Sequence, residues 1–173
     1  MDSSESKVVD PYVRFLSLSD TLKITLYPYE SSGALIHLPA KSPYFRFTTT
    51  KIRQKGLQNG RGWDKNLTDL LAFEIINDVK SRSVILHFYV GPGEEKERQS
   101  WILYAKAKGQ PFLLGQSVFQ NGKRWQSLYD LVLLDKDSYD QNEDFVTEVL
   151  TRNLSGFLRQ KLPFLERAVG EKK

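Results

Sequence analysis

The chain contains no cysteine, so neither a disulfide framework nor a thiolate metal site is open to it. Its only histidines are His37 and His87, which excludes a histidine-rich metal centre. No apolar run approaches the roughly 20 residues that a membrane-spanning helix requires. The opening stretch, MDSSESKVVD, is polar and acidic, unlike a secretory signal. No Gly-Lys-Ser/Thr sequence of the phosphate-loop type is present. Together these absences favour a cytoplasmic setting with no membrane partner, and no cofactor or metal ligand set is expected.

What is present is globular. The chain has 173 residues, of which 40% are hydrophobic and 12% aromatic, enough for one domain with a real core. The net charge of +4 permits a nucleic-acid partner without requiring one. Residues 1–10 and 169–173 are expected to be flexible ends around a single domain at 11–168.

Strand signals dominate the middle. Tyr44–Thr49 is aromatic and Thr-rich. Asp69–Asn77 places Leu71, Phe73 and Ile75 on one face, and Ser83–Val90 does the same with Val84, Leu86, Phe88 and Val90. The short polar linker Asp78–Arg82 suits a hairpin. Gly91-Pro92-Gly93 then stops the strand. A helix follows, with Glu94, Glu95 and Glu97 at its start and a stripe of Arg98, Trp101, Ile102 and Ala105. Phe112–Phe119 and Trp125–Leu134 read as strands joined around Asn121-Gly122. The closing helix has Asp140 and Glu143 spaced as a capping box. Its stripe runs Val146, Val149, Leu150, Leu154, Phe157 and Leu158, and Pro163 ends or kinks it. Residues 11–30 are ambiguous: Pro11 can open a short helix, whereas Leu22–Tyr27 alternates like a strand. Ala34–Leu38 is a short apolar piece in a loop. The expectation is an α+β fold with a mainly antiparallel sheet, in the order β-ββ-α-ββ-α, and two principal helices on one face.

The leading candidate site is the basic segment Thr48–Asn66. Lys51, Arg53, Lys55, Arg61 and Lys65 stand there against one acid, Asp64, with Trp63 among them. Lysine and arginine neutralise phosphates, and an aromatic can stack on an unpaired base. Lys106, Lys108, Lys123 and Arg124 extend the patch if their elements lie nearby. A solvated loop with Trp63 in the core is the plainer reading. Gly91-Pro92-Gly93 precedes a helix start, but the glutamates there repel a phosphate. His87 alternates with Ile85 and Tyr89 and can pair with Glu74 across the hairpin. Asp69 or Asp64, followed by Asp78 and Lys80, has the letters of a metal-dependent nuclease site. Asp78 and Lys80, however, fall in a turn rather than on a strand. The Glu94-Glu95-Lys96 alternative opens a helix.

Several words of the chain resemble the C-terminal region of bacterial proteins in the PD-(D/E)XK nuclease superfamily. They are Tyr44–Thr49, Gly62-Trp63, Leu70–Ile76 with Glu74, Val84–Val90 followed by Gly91-Pro92-Gly93, Arg98, and Trp125–Leu134 before a helix ending near Leu162-Pro163. The resemblance spans most of residues 43–165. In those proteins a nuclease core precedes this region and carries the catalytic motif. The resemblance therefore implies a non-catalytic accessory or recognition domain with nucleic acid as ligand, in a defence or DNA-processing context. Two rivals stand beside it. One is a protein-interaction or oligomerisation module using an exposed stripe on the closing helix. The other is a small metal-dependent nuclease using Asp69, Asp78 and Lys80.

Overall fold

A computed structural model describes residues 9–55, 60, 68–120 and 123–173. The fold is α+β. Six strands form one antiparallel sheet: β1 (Leu35–Leu38), β2 (Tyr44–Thr49), β3 (Leu71–Asp78), β4 (Ser83–Val90), β5 (Ser117–Gln120) and β6 (Lys123–Leu134). Their spatial order is β1-β2-β3-β4-β6-β5. The helices are α1 (Pro11–Ser31), α2 (Thr50–Gln54), α3 (Glu95–Lys108), α4 (Lys136–Tyr139), α5 (Glu143–Gly156) and α6 (Leu162–Glu171). A π-helical turn, Phe157–Lys161, joins the last two.

Strand alternation divides the sheet into two faces. Phe47, Phe73, Phe88 and Val90 belong to the main core together with Leu22 of α1, Trp101 of α3 and Leu154 of α5. The opposite face carries a smaller cluster of Leu38, Ala72, Tyr89 and Trp125, to which no helix contributes. The helices therefore cover one face only, as the hairpin-rich order implies.

The main departure from the sequence expectation is α1. Residues 11–30 are neither a short helix nor a strand but part of one helix of 21 residues. Leu18, Leu22 and Leu26 recur every four residues and are buried. Over Leu22–Tyr27 that spacing mimics strand alternation. The Asp10 carboxylate caps the start by accepting from the amides of Tyr12 and Val13, and Pro11 sits where a missing N–H costs little. The fold thus has a third principal helix beside the two expected.

Other boundaries move for local reasons. Strand β3 starts at Leu71, and Ala34–Leu38 yields the edge strand β1. Of the expected strand 112–119 only residues 117–119 are regular, and β5 runs one residue further to Gln120, although Leu113 and Gly115 still donate to the Leu128 and Ser127 carbonyls. Gln120 pairs with Lys123, as a hairpin requires, while Asn121-Gly122 lies outside the described residues. Asp140 does not cap the closing helix. The short α4 intervenes, Asp140 pairs with Arg82, and Asn142 Oδ1 accepts the Phe145 amide at 3.0 Å. Pro163 does not end the helical run, which continues to Glu171. Its ring excludes the carbonyl four residues back, and the wider π turn absorbs that misfit before α6 resumes. Residues 169–171, expected to fray, complete α6, and Val169 is buried.

Candidate functional site

The helix-free face carries a row of ionisable side chains. Strand register places Arg46 opposite Glu74, Glu74 opposite His87, and His87 opposite Asp130, across β2, β3, β4 and β6. Arg46 Nε donates to Glu74 Oε2 at 2.5 Å, with both side chains largely buried. His87 Nδ1 lies 2.6 Å from Asp130 Oδ1. Burial pushes the Asp130 carboxyl up, but hydrogen bonds from His87 and Ser127 outweigh it and hold it below the usual range. Since the carboxylate can only accept, His87 Nδ1 carries the proton. Tyr89 stacks on His87 with centroids 5.0 Å apart and meets Trp125 edge-on, and the Arg46 guanidinium lies 5.8 Å from the Trp125 ring centre. Burial raises the Tyr89 phenol, and the Glu74 and Asp130 charges act in the same sense.

Asp130 orients the imidazole as a general base would require. Among the described residues, no hydrogen bond joins the His87 ring to a hydroxyl that could serve as nucleophile. Ser127 Oγ donates to the same Asp130 oxygen that His87 uses, so Ser127 is held by the acid and not by the base. His87 therefore pairs with Asp130 and not with Glu74, which Arg46 takes. The signal for Asp130 was an acid set among Leu128, Leu131 and Leu133. Gly115 lies against this pair, and a Cβ there would collide with the Asp130 carboxylate.

The row is expected to leave a mark on acid stability. Asp130 titrates lower in the fold than in the unfolded chain. Its contribution is therefore present above its ordinary value of 3.8 and lost as pH falls through the folded value. Asp130→Asn should lower stability at pH 7 and narrow its gap to the parent as pH approaches 3. Denaturant midpoints across that range test this, and a constant gap would contradict it.

The basic segment is tied to the end of the chain. Lys51 Nζ lies 3.3 Å from Glu166 of α6. Lys55 Nζ donates to the Gly170 carbonyl at 3.0 Å, complementing the negative end of α6. Lys108, from the end of α3, pairs with Glu171, and their hydrogen bond lowers the carboxyl and raises the amine. Tyr104 Oη donates to the Ala168 carbonyl, and Lys172 Nζ lies 4.8 Å from the Trp101 ring centre. Lys51, Lys55 and Lys108 thus gather along α6. Arg53 behaves differently: its Nε and NH2 grip both oxygens of Asp69, which is buried. Arg61, Trp63 and Lys65 lie outside the described residues, as does Asp64. Of the proposed extension, Lys108 joins the cluster. Arg124 acts on Glu95, at the other end of the 14-residue helix α3.

No protein-family model, curated protein or solved structure matches this chain.

The nuclease letters do not converge. Asp69 precedes β3 and is engaged by Arg53, whereas Asp78 closes the strand. At about 3.3 Å per residue the two lie more than about 20 Å apart, too far to share one cation. The Asp78 carboxylate accepts the Lys80 amide, turning the chain into β4, and Lys80 is exposed. Glu95 is exposed at the start of α3. Among the described residues, no group of three or more His, Asp and Glu is placed to hold a metal ion. Gly91-Pro92-Gly93 is a structural corner. The Gly91 amide bonds the Leu70 carbonyl, Gly93 bridges Gly60, and buried Arg98 donates to the Gly91 carbonyl at 2.9 Å. The stripe on the closing helix is core, with Leu150 and Leu154 fully buried, so it offers no docking surface. No helix among the described residues is long and apolar enough to cross a membrane.

A cavity of about 700 Å³ opens between the start of α1, the β3–β4 turn and the α4–α5 junction. Its charges are matched: Arg82 pairs with Asp140 at 2.8 Å, and Arg14 lies 3.5 Å from Glu143 and donates to the Gln141 carbonyl. That balance gives an anion no net attraction.

Proposed function

We propose that this chain is a non-catalytic recognition domain that grips the phosphate backbone of nucleic acid through the basic surface around α2 and the last turn of α6. The setting is the nuclease-associated, defence or DNA-processing context that the sequence resemblance implies. The observation that carries the reading is the gathering of Lys51, Lys55 and Lys108 along α6. Three lysines from two other helical regions meet two carboxylates there, and Lys55 bonds a carbonyl instead of an acid. Lys51, with a side chain 72% exposed, can add a phosphate to its free ammonium protons while it keeps hold of Glu166, whose own side chain is only 11% exposed. Arg53 serves the fold, through Asp69, and is not assigned to the ligand.

Binding to single-stranded and duplex oligonucleotides across a salt series tests the proposal. Affinity should fall steeply with salt as condensed counterions are released. The triple variant Lys51→Ala, Lys55→Ala, Lys108→Ala should lower the slope by roughly 0.7–0.9 per contact. The parent should leave both ligands uncut in Mg²⁺ or Mn²⁺. Equal affinities of parent and folded triple variant at every salt concentration would remove this surface as the site. Cleavage abolished by Asp78→Ala and Lys80→Ala would replace recognition with catalysis.

A further inference from the structure

Helix α1 is apolar on two opposite sides. One side buries Leu18, Leu22 and Leu26 in the core. On the other, Tyr12, Val13, Leu16, Ile24 and Tyr27 are between 44% and 73% exposed. At 3.6 residues per turn these five fall within an arc of about 120°, in a stripe about 22 Å long. Such a stripe presents on the order of 500 Å² as one patch, at the upper end of what a monomer usually leaves uncovered. Its only charges are Asp20 and Lys23, an exposed pair at 3.9 Å in the middle of the stripe.

We propose that this face of α1 docks on the same face of a second copy of the chain, with the two helices antiparallel about a two-fold axis beside Asp20. Three observations select that occupant. First, the stripe has a palindromic layout. Val13 and Leu16 precede the charged centre and Ile24 and Tyr27 follow it, so reversing one helix sets Leu16 against Ile24 and Val13 against Tyr27 of its copy. Second, the charges are self-complementary. The axis brings the two Asp20 carboxylates face to face, and Lys23 of each chain lies within one helical turn of the other chain's Asp20, so each acid is flanked by its own base and by its partner's. Third, the area fits. Two such stripes bury about 1,000 Å², the lower bound for a specific interface, which suits a weak, reversible dimer. One acid and one base give a polyanion no hold, and a membrane-surface helix would carry an excess of lysine and arginine on its flanks. The proposal is independent of the nucleic-acid reading, since α1 shares no residue with the lysine cluster.

Sedimentation equilibrium of the full chain at up to about 100 µM tests it. The parent should self-associate as a dimer. Ile24→Asp should weaken association by roughly 30-fold or more, as loss of a central anchor does, while keeping the parent's thermal transition. Two further variants identify the occupant. Asp20→Lys alone and Lys23→Asp alone should each be monomeric, and mixing them should restore a dimer containing one of each. A parent that stays monomeric throughout overturns the proposal, as does an Ile24→Asp variant that dimerises like the parent. Failure of the mixture to associate when the parent does would place the contact elsewhere on the molecule.

Discussion

Replacing Phe73 by alanine should cost about 3–5 kcal/mol of folding free energy, the usual toll for removing a buried phenylalanine. Phe73 is fully buried at the centre of the sheet. It stacks on Phe47 of β2 at 5.0 Å and on Phe88 of β4 at 4.3 Å, and Phe157 of the π turn meets it edge-on at 5.8 Å. The ring thus joins three strands to the closing helix, and the hole left behind has walls on every side that resist collapse. Denaturant unfolding measures the loss. A cost below about 1 kcal/mol would mean that the helix does not rest on this part of the sheet.

Arg46→Ala should be nearly as damaging, for a different reason. The Glu74 side chain is only 6% exposed, and losing the guanidinium leaves that buried carboxyl group without its partner, which costs about 3–5 kcal/mol for a buried pair. The double variant Arg46→Met, Glu74→Leu should recover most of that loss, because it leaves no unpaired charge behind. The comparison separates the penalty of an orphaned carboxylate from the worth of the pair itself. A double variant as unstable as the single one would show that the Arg46 guanidinium, set against the Tyr44 and Trp125 rings, supplies the stability instead.

The parts of the fold that were legible in the sequence are those whose period is unambiguous. Ser83–Val90 alternates without interruption between turn residues, and β4 has those limits. Tyr44–Thr49 and the helix after Gly93 were equally plain. Helix α1 was not, because apolar residues on both of its sides blur a helical period. Strand β5 was overdrawn because Phe112–Leu114 is as apolar as a strand but follows Pro111 and turns at Gly109. The candidate sites divide in the same way. The cations of the basic segment are visible in one line of sequence, but their partners are not. Asp69 lies 16 residues from Arg53, and Gly170 lies 115 from Lys55. His87 was noticed, but Asp130 reaches it through the pairing of β4 with β6, which a whole helix separates in the chain and two register shifts complicate. Local patterns specify elements, and the contacts that make a site arise from packing between them.

Two neighbouring rows of the sheet have opposite chemistry. Phe47, Phe73, Phe88 and Tyr129 are aligned on the helix-covered side. One step along each strand, Arg46, Glu74, His87 and Asp130 are aligned on the other. Strand side chains alternate, so the sheet obeys a parity rule. Losing a single residue from β3 would turn Glu74 towards the helices and Phe73 towards water at one stroke, whereas losing two restores each side to its own kind. The shifts between Val84 and Ile85 and between Phe88 and Tyr89 bracket the rows on β4, and there the count between strands can be reset without inverting what lies between. Length changes in this domain are therefore graded by whether they are odd or even, more than by how large they are.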